Sequence, residues 1–155
     1  MTKLNPEHIE RFISVVNSSP YFRLLSMKVR EVNIGYCVLD IDLEKKHLQP
    51  FGIVHGGVFA SVIESVTSWA IFYGIENEND GLTTIDLKLN YLLPVVTGKA
   101  IAEGRQIKLG KTLGYAEGLV KDESGKMIAH GTSTLMIIPG GAPVADPPFP
   151  PKFLQ

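Results

Sequence analysis

A histidine and two glycines, His55, Gly56 and Gly57, precede the longest apolar segment of the chain. Glycine lets a backbone approach a ligand closely, and the first N–H groups of a helix have no partners inside that helix. If a helix begins here, its free N–H groups can bind an anion or the oxyanion that develops when a carbonyl is attacked. The same glycines also suit a tight turn into a helix without any ligand, so both interpretations stay open.

Glu64 is the only charged residue between Val58 and Tyr73. The apolar side chains of this segment cover almost every side of a helical cylinder, which predicts a central helix about residues 57–73 that is buried all round. An unpaired carboxylate in an apolar interior costs on the order of several kcal/mol or stays protonated, so Glu64 is a candidate for chemistry. The alternative is a structural carboxylate satisfied by a partner subunit and by its hydroxyl neighbours, which are Ser61, Ser65 and Ser68.

Histidines give weaker signals. His55 could act as a general base near neutral pH, or it could brace the turn through a backbone hydrogen bond, and we favour bracing. His8, His47 and His130 lie in no pattern that indicates chemistry. We predict no metal site, because no two histidines have the i, i+4 spacing of a helical site and no Cys or Asp cluster accompanies them.

Lys111 and Thr112 follow a glycine at a turn between two strand-like stretches, where they could hold a phosphate. The stretch is not a Walker motif, because it lacks the upstream glycine and the following helix. Solvated lysines on an ordinary hairpin produce the same pattern, so a phosphate contact is one of two open interpretations.

The elements that must position these residues follow from hydrophobic periodicity. An apolar stripe predicts an N-terminal helix about residues 6–17, capped by Asn5, and period-two alternation over Val29–Leu43 predicts a strand. Four strand-like stretches come after the central helix: Leu82–Leu92, Lys99–Lys108, Thr112–Lys121 and Met127–Ile138. Short turns between successive strands predict antiparallel neighbours, so the fold class is α+β, with a sheet wrapped around one helix and an open edge that favours self-association.

Length and composition set the boundaries of the domain. The 155 residues suit a single domain, which we place at 1–138, and residues 139–155 hold six of the ten prolines and form a tail without regular structure. Lys and Arg number 15 against 16 Asp and Glu, which argues against a nucleic-acid partner. The single Cys37 excludes an intramolecular disulfide and fits a reducing compartment. With no signal peptide and no apolar run near the roughly 18 residues of a membrane span, we expect a cytoplasmic protein.

Three features, in their order and spacing, resemble the hotdog-fold acyl-CoA thioesterases, most closely the phenylacetate-pathway and 4-hydroxybenzoyl-CoA branch. They are His55-Gly56-Gly57, Glu64 nine residues after the histidine, and the segment Asp86–Pro94. Two later corners also fit, namely Gly110-Lys111-Thr112 and Ala129-His130-Gly131. The similarity runs over roughly residues 20–138.

The resemblance implies a strongly curved antiparallel sheet around the central helix. It also implies dimers that pair edge to edge into one continuous sheet and that often pair again into tetramers. The active site would lie at the dimer interface, with Glu64 of one chain facing Gly56 of its partner. An acyl-CoA thioester is then the substrate, and no cofactor is expected.

The same resemblance implies roles for individual residues. The Gly56 N–H would polarise the thioester carbonyl, and Glu64 would attack that carbonyl or activate a water. Gln49 would help to position the carbonyl or the nucleophile, and Ser68 would orient the water, although related chains often carry Thr there. The remaining expected site residues are His55 at the turn and, in substrate binding, Gly57, Thr84, Lys111 and Thr112, the last two at the CoA phosphates.

Two other functions fit the same fold. A dehydratase or hydratase would pair His47 or His55 with the helix carboxylate, but His47 lies seventeen residues before Glu64, longer than that pattern normally shows. A non-catalytic acyl-CoA-binding protein would gain nothing from a buried carboxylate. Apolar residues near the site suggest an aryl or medium-chain acyl group without choosing between them: Phe51, Phe59 and Ile63.

Overall fold

The computed structural model describes residues 3–154. Two helices open the chain, α1 (Pro6–Ser18) and α2 (Pro20–Leu24), and the long helix α3 (Gly56–Phe72) follows a short 3-10 helix at Lys45–His47. The Asn5 side chain caps α1 by accepting from the Glu7 N–H, and Pro6 takes the first helical position. The strands are β1 (Met27–Asn33), β2 (Tyr36–Leu43), β3 (Gly81–Tyr91), β4 (Gly98–Leu109), β5 (Leu113–Asp122) and β6 (Met127–Ile138).

The six strands form one antiparallel sheet in the order β1-β2-β4-β5-β6-β3, and α3 packs against every strand. Glycines let the sheet approach the helix closely. A Cβ on Gly104 would lie 2.2 Å from the Val66 carbonyl oxygen, and one on Gly118 would lie 2.9 Å from the Ile63 side chain. The α+β class, with a curved antiparallel sheet wrapped around one central helix, is confirmed.

The single strand expected over Val29–Leu43 is wrong, because this segment is a hairpin of β1 and β2. Asn33 pairs with Tyr36, which leaves a turn of two residues, and Gly35 takes a positive φ of 70° there. The two-residue turn pairs positions of opposite parity, but a bulge between Val29 and Glu31 restores like parity further along the hairpin, where Val29 pairs with Leu39. The hydrophobic pattern therefore continues across the reversal and hides it.

The expectation that successive strands are neighbours fails at β3. This strand pairs only with β6, the last strand of the chain, and it forms one edge of the sheet. After β3 the N–H groups of Leu92 and Leu93 both donate to the Ile128 carbonyl, at the start of β6. The chain then crosses β6 and β5 to reach β4, so the outer edge of β3 has no partner strand within residues 3–154.

Helix α3 is not buried on all sides, which corrects the expectation drawn from its composition. Val62, Ile63, Val66 and Ala70 are fully buried, but Glu64 is exposed. The serines beside it are half-buried: Ser61, Ser65 and Ser68. A curved sheet covers one side of a helix, so the polar stripe of α3 remains at the opening.

Residues 139–154 contain no helix or strand but pack against α1 and the C-terminal end of α3. His8 Nδ1–H donates to the Pro150 carbonyl at 2.7 Å, and the Asn5 N–H donates to the Lys152 carbonyl at 2.9 Å. Lys152 is only 2% exposed, and its Nζ donates to the carbonyls of Ile75 at 2.6 Å and Phe72 at 3.3 Å. Positive charge at the C-terminal end of a helix is favourable. The domain boundary at residue 138 stays a prediction.

This buried ammonium predicts a pH effect on stability. Burial lowers the pKa of Lys152 from 10.5 to about 8, against the opposing influence of Glu78 and Asp80. Between these values the unfolded chain binds more protons than the folded one, so the free energy of unfolding contributed by this group rises with pH. Relative to Lys152→Met, the wild type should gain up to about 3 kcal/mol from pH 8 to 10.5, measured by urea unfolding. Exposed Lys46→Met is the control; a Lys152→Met curve parallel to the wild type would contradict the prediction.

Candidate active site

The N-terminus of α3 presents one backbone N–H group that is free. His55 is the N-cap residue, and its Nδ1 accepts from the Gly57 N–H at 2.8 Å. The His55 carbonyl accepts from the Val58 N–H at 3.0 Å. Within residues 3–154 the Gly56 N–H has no acceptor. The histidine therefore has the bracing role favoured from the sequence, and Gly56 rather than Gly57 keeps an N–H available for a ligand.

Tyr91, which the sequence did not single out, covers Gly56 from the end of β3. Its hydroxyl donates to the Gly56 carbonyl at 3.2 Å. A Cβ added to Gly56 would lie 2.8 Å from Cζ of this ring, so glycine is required for the present contact. Alternation along β3 indicated only that Tyr91 shares a face with Leu89. The approach of β3 to the start of α3 is a tertiary feature that no local pattern contains.

Gln49 lies in the loop before α3, half-buried, and its side-chain oxygen accepts from the Phe51 N–H. The loop is closed by a bridge between Leu48 and Val54, and Phe51 stands 91% exposed at its tip. The Gln49 amide NH2 makes no hydrogen bond to any residue in the range 3–154. It can donate to a ligand.

The Glu64 carboxylate is exposed, and no group in the described part of the chain hydrogen-bonds it or pairs with it. The expectation that this carboxylate is buried within its own chain is therefore wrong. Its serine neighbours use their hydroxyls elsewhere: Ser61 donates to the Gly57 carbonyl and Ser65 to the Ser61 carbonyl. These hydroxyls therefore do not satisfy the Glu64 carboxylate, which was the alternative interpretation from the sequence.

A cleft of about 360 Å³ between α3 and β3 brings Glu64 together with Ser68 and Thr84. Ser68 Oγ and Thr84 Oγ1 lie 3.4 Å apart. The expected site residues Glu64, Ser68 and Thr84 thus share one opening. Trp69 and Pro143 also line it, and neither belongs to the site expected from the sequence.

One chain does not bring Glu64 to Gly56. The two residues are eight positions apart on one helix, which at 1.5 Å per residue is about 12 Å along its axis. A thioester carbonyl cannot contact both groups across that distance. The free N–H of Gly56 and the free carboxylate of Glu64 therefore lie at two separate places on one chain, which we call the two half-sites.

Lys111 and Thr112 occupy the exposed turn between β4 and β5. The strand after this turn passes the C-terminal end of α3, because a Cβ on Gly114 would lie 2.6 Å from Ile71. The turn is therefore at the opposite end of the helix from Gly56 in the same chain. The structure does not bring these two residues to the cleft of their own chain.

The other histidines have structural partners. His47 is buried; its Nδ1 accepts from the Glu44 N–H at 2.8 Å and its Nε2–H donates to the Leu25 carbonyl at 2.9 Å. Both ring nitrogens are thus engaged, which leaves none for a proton transfer to substrate. His130 Nε2 lies 3.2 Å from the Glu117 carboxylate across two strands, away from the cleft.

Residues 3–154 contain neither a cluster of metal-binding side chains nor a membrane-spanning helix. No three side chains among His, Cys, Asp and Glu come together there in a way that could hold a metal ion. No helix in that range is both long and apolar enough to cross a membrane.

A curved antiparallel sheet wrapped around one helix is the hotdog fold, and here it leaves an amide at the helix start and a carboxylate on its open side accessible to a ligand. Residues 51–129, about half of the chain, match the family described as the Thioesterase superfamily. The chain belongs to that family. Gly56, Glu64 and Thr84 lie inside the matched range, whereas Gln49 lies two residues before it.

Comparisons with individual proteins agree with the family assignment. The chain is 27% identical over 132 residues to acyl-coenzyme A thioesterase 13 of Mus musculus, which covers 83% of this chain and 93% of that protein. It is 30% identical over 111 residues to a Caenorhabditis elegans relative, of whose length it spans 64%.

Two solved structures share the fold. A Haemophilus influenzae thioesterase superposes with a TM-score of 0.79 at 23% identity, covering 90% of this chain and 96% of that one. The zebrafish thioesterase superfamily member 2 superposes with a TM-score of 0.72 at 23% identity, covering 81% and 93%. The resemblance stated from the sequence is confirmed at the level of the superfamily.

Proposed function

We propose that this protein hydrolyses acyl-CoA thioesters to the free acid and CoA. One observation carries the proposal: the Glu64 carboxylate has no partner among residues 3–154 and lines a cleft, in a chain of the Thioesterase superfamily. A thioester carbonyl is already electrophilic and a thiolate is a good leaving group. One carboxylate and one preorganised N–H donor can therefore drive the reaction.

The complete site would form in a dimer joined through the free edge of β3. This edge offers unpaired backbone groups and an exposed apolar side chain, Ile85, which is 53% exposed, and Leu92, directly after the strand, is 52% exposed. Pairing two such edges antiparallel would extend the sheet across the dimer. It would set the open side of one α3 against the other, so that Glu64 of one chain meets Gly56 of its partner. Two such dimers can pair again into a tetramer.

Within that site the chemistry has two routes. In the first, the Glu64 carboxylate attacks the thioester carbon, CoA leaves as thiolate and takes a proton, and water then hydrolyses the resulting anhydride. In the second, Glu64 takes a proton from a water that attacks the same carbon directly. In both, the Gly56 N–H donates to the oxyanion, the Gln49 NH2 positions the carbonyl or the nucleophile, and the Ser68 hydroxyl orients the water.

The test is a release assay with acetyl-, decanoyl-, 3-hydroxydecanoyl-, palmitoyl- and aryl-CoA in the presence of a thiol-reactive dye, with absorbance also recorded for the enoyl thioester. A thioesterase releases one free thiol for each ester consumed, with no cofactor added. A dehydratase acting on a hydroxyacyl-CoA would instead produce the absorbance of an enoyl thioester without thiol. An acyl-CoA-binding protein would bind stoichiometrically with no turnover. Either of the last two results would overturn the proposal.

Lys111 is proposed to contact a phosphate of CoA bound at the dimer. Lys111→Ala should raise KM roughly fivefold, equivalent to about 1 kcal/mol for an exposed ion pair, and should leave kcat within about twofold. Lys28→Ala, an exposed lysine on β1, is the matched control and should change neither constant. An equal fall of kcat in Lys111→Ala would contradict a binding role.

A further inference from the structure

A second, larger cavity of about 800 Å³ lies between α1, the C-terminal half of α3 and the proline-rich tail. We call it the tail groove. Its apolar walls come from all three elements: Phe12 and Val15 on α1, Trp69 and Phe72 on α3, and Pro143 and Phe149 in the tail. Helix α1 and the tail lie outside the range 51–129 matched by the family. The tail groove is therefore built mainly by parts of the chain that the family match does not cover.

The tail wall of this groove is held in place by many hydrogen bonds. The Arg11 guanidinium donates to the Pro147 carbonyl at 3.0 Å, and the Ala142 N–H donates to the Asn79 carbonyl at 3.0 Å. Glu78 accepts from two backbone N–H groups, at 3.0 Å from Lys152 and 3.2 Å from Phe153. The wall is thus preformed, which lowers the entropy cost of binding a ligand against it.

The tail groove adjoins the cleft that holds Glu64. Trp69, Phe72 and Pro143 line both spaces. Along α3 from Glu64, Ser68 comes first and Trp69 and Phe72 follow, so an apolar chain laid along this side of the helix would pass them in that order. The eight residues from Glu64 to Phe72 span about 12 Å along the helix, which is the length of a medium-chain acyl group.

We propose that the tail groove binds the acyl group of the thioester substrate, as an extended aliphatic chain of medium length. The inference rests on the proposed function and adds its substrate class. A mostly apolar cavity beside a reactive carboxylate suits an aliphatic chain, because burial of each methylene contributes about 0.8 kcal/mol. The carbonyl would stay at Glu64 while the chain lies between α1 and the tail.

A larger side chain in the tail groove tests whether the acyl group binds there. Val15 is half-buried on α1 and lines the groove, whereas Ser14 beside it is exposed and does not. Val15→Phe should lower kcat/KM for decanoyl-CoA about tenfold or more and leave acetyl-CoA hydrolysis within about twofold. Ser14→Phe is the matched control and should leave both unchanged. Equal effects of Val15→Phe on the two esters, or no effect on either, would overturn the groove assignment.

A binding measurement gives a readout independent of turnover. Trp69 is the only tryptophan of the chain and lines both the groove and the adjoining cleft, so its fluorescence reports on ligand bound in either space, and Val15→Phe separates the two. In Glu64→Gln, decanoyl-CoA should change this fluorescence saturably, and Val15→Phe in the same background should abolish the change that Ser14→Phe keeps. No fluorescence change at any concentration would overturn the inference. If Val15→Phe releases thiol with the same preference for chain length as the wild type, only the assignment of the groove as acyl-binding site is overturned. If the wild type releases no thiol from any ester, the proposed function is overturned, and the substrate class with it.

Discussion

Glu64→Gln should lower kcat for acyl-CoA hydrolysis by roughly 10³-fold or more, because both proposed routes need the ionised carboxylate. Glutamine has nearly the same shape but cannot take a proton from water or form the anhydride. Glu64 is exposed and has no partner among residues 3–154, so replacing it leaves no buried group unsatisfied and the fold should be retained. Binding of acyl-CoA should persist, as measured by Trp69 fluorescence.

The control is Glu76→Gln, an exposed glutamate in the loop after α3. It makes the same chemical change on the same protein and should leave kcat unaltered. Wild-type turnover in Glu64→Gln would remove the proposed mechanism. A loss of turnover together with a lowered unfolding midpoint would show a structural rather than a chemical role for the carboxylate.

Gly56→Pro should lower kcat by about 10²- to 10³-fold, the usual cost of one oxyanion donor. Proline at this position deletes the N–H that is proposed to hold the oxyanion. The backbone accepts it, because Gly56 is the first residue of α3 and His55 before it is extended, with φ −63° and ψ 134°. No internal hydrogen bond among the described residues is lost with this N–H.

Gly56→Ala is the matched control, since its Cβ pushes on the Tyr91 ring as the proline would but its N–H remains. The ratio of the two kcat values isolates the contribution of the N–H group. Equal activities of the alanine and proline variants would contradict the oxyanion role. A loss shared by both variants would be assigned to displacement of Tyr91.

Mixing the two inactive variants tests whether the site spans two chains. If Glu64 of one chain works with Gly56 of the other, a hybrid of Glu64→Gln and Gly56→Pro has one site with both defects and one intact site. Random exchange makes half of the dimers hybrid, so about one quarter of wild-type activity should return. If both groups acted within one chain, unfolding and refolding the mixture would restore nothing.

The local elements were predictable because their signals are local. The cap at Asn5, the apolar stripe of α1 and the alternation of the later strands each depend on neighbours a few residues away. The turn between β1 and β2 was missed because a bulge in β1 restores the alternation that a turn of two residues shifts. The start of α3 at Gly56 was placed within one residue, since a glycine pair and an apolar run coincide there.

The contacts of the tail could not be predicted from local sequence patterns. Its prolines correctly indicate that no helix or strand forms in residues 139–154, but they say nothing about what the tail contacts. Burial of Lys152 at the end of α3 depends on residues about 80 positions apart. No spacing rule relates such positions, so the tail groove became visible only in three dimensions.

The sequence by itself determined which groups can react: a glycine amide at a helix start and one carboxylate two turns later. The prediction that this carboxylate is buried was wrong, because composition shows that a helix is apolar but does not show which side of the helix the sheet will cover. Only the tertiary structure decided that β3 lies at the sheet edge and that Glu64 stands in the open. The physical reason is that pairing between distant segments sets the strand order. Hydrophobic periodicity shows only which residues of one segment lie on its apolar face and which lie on its polar face.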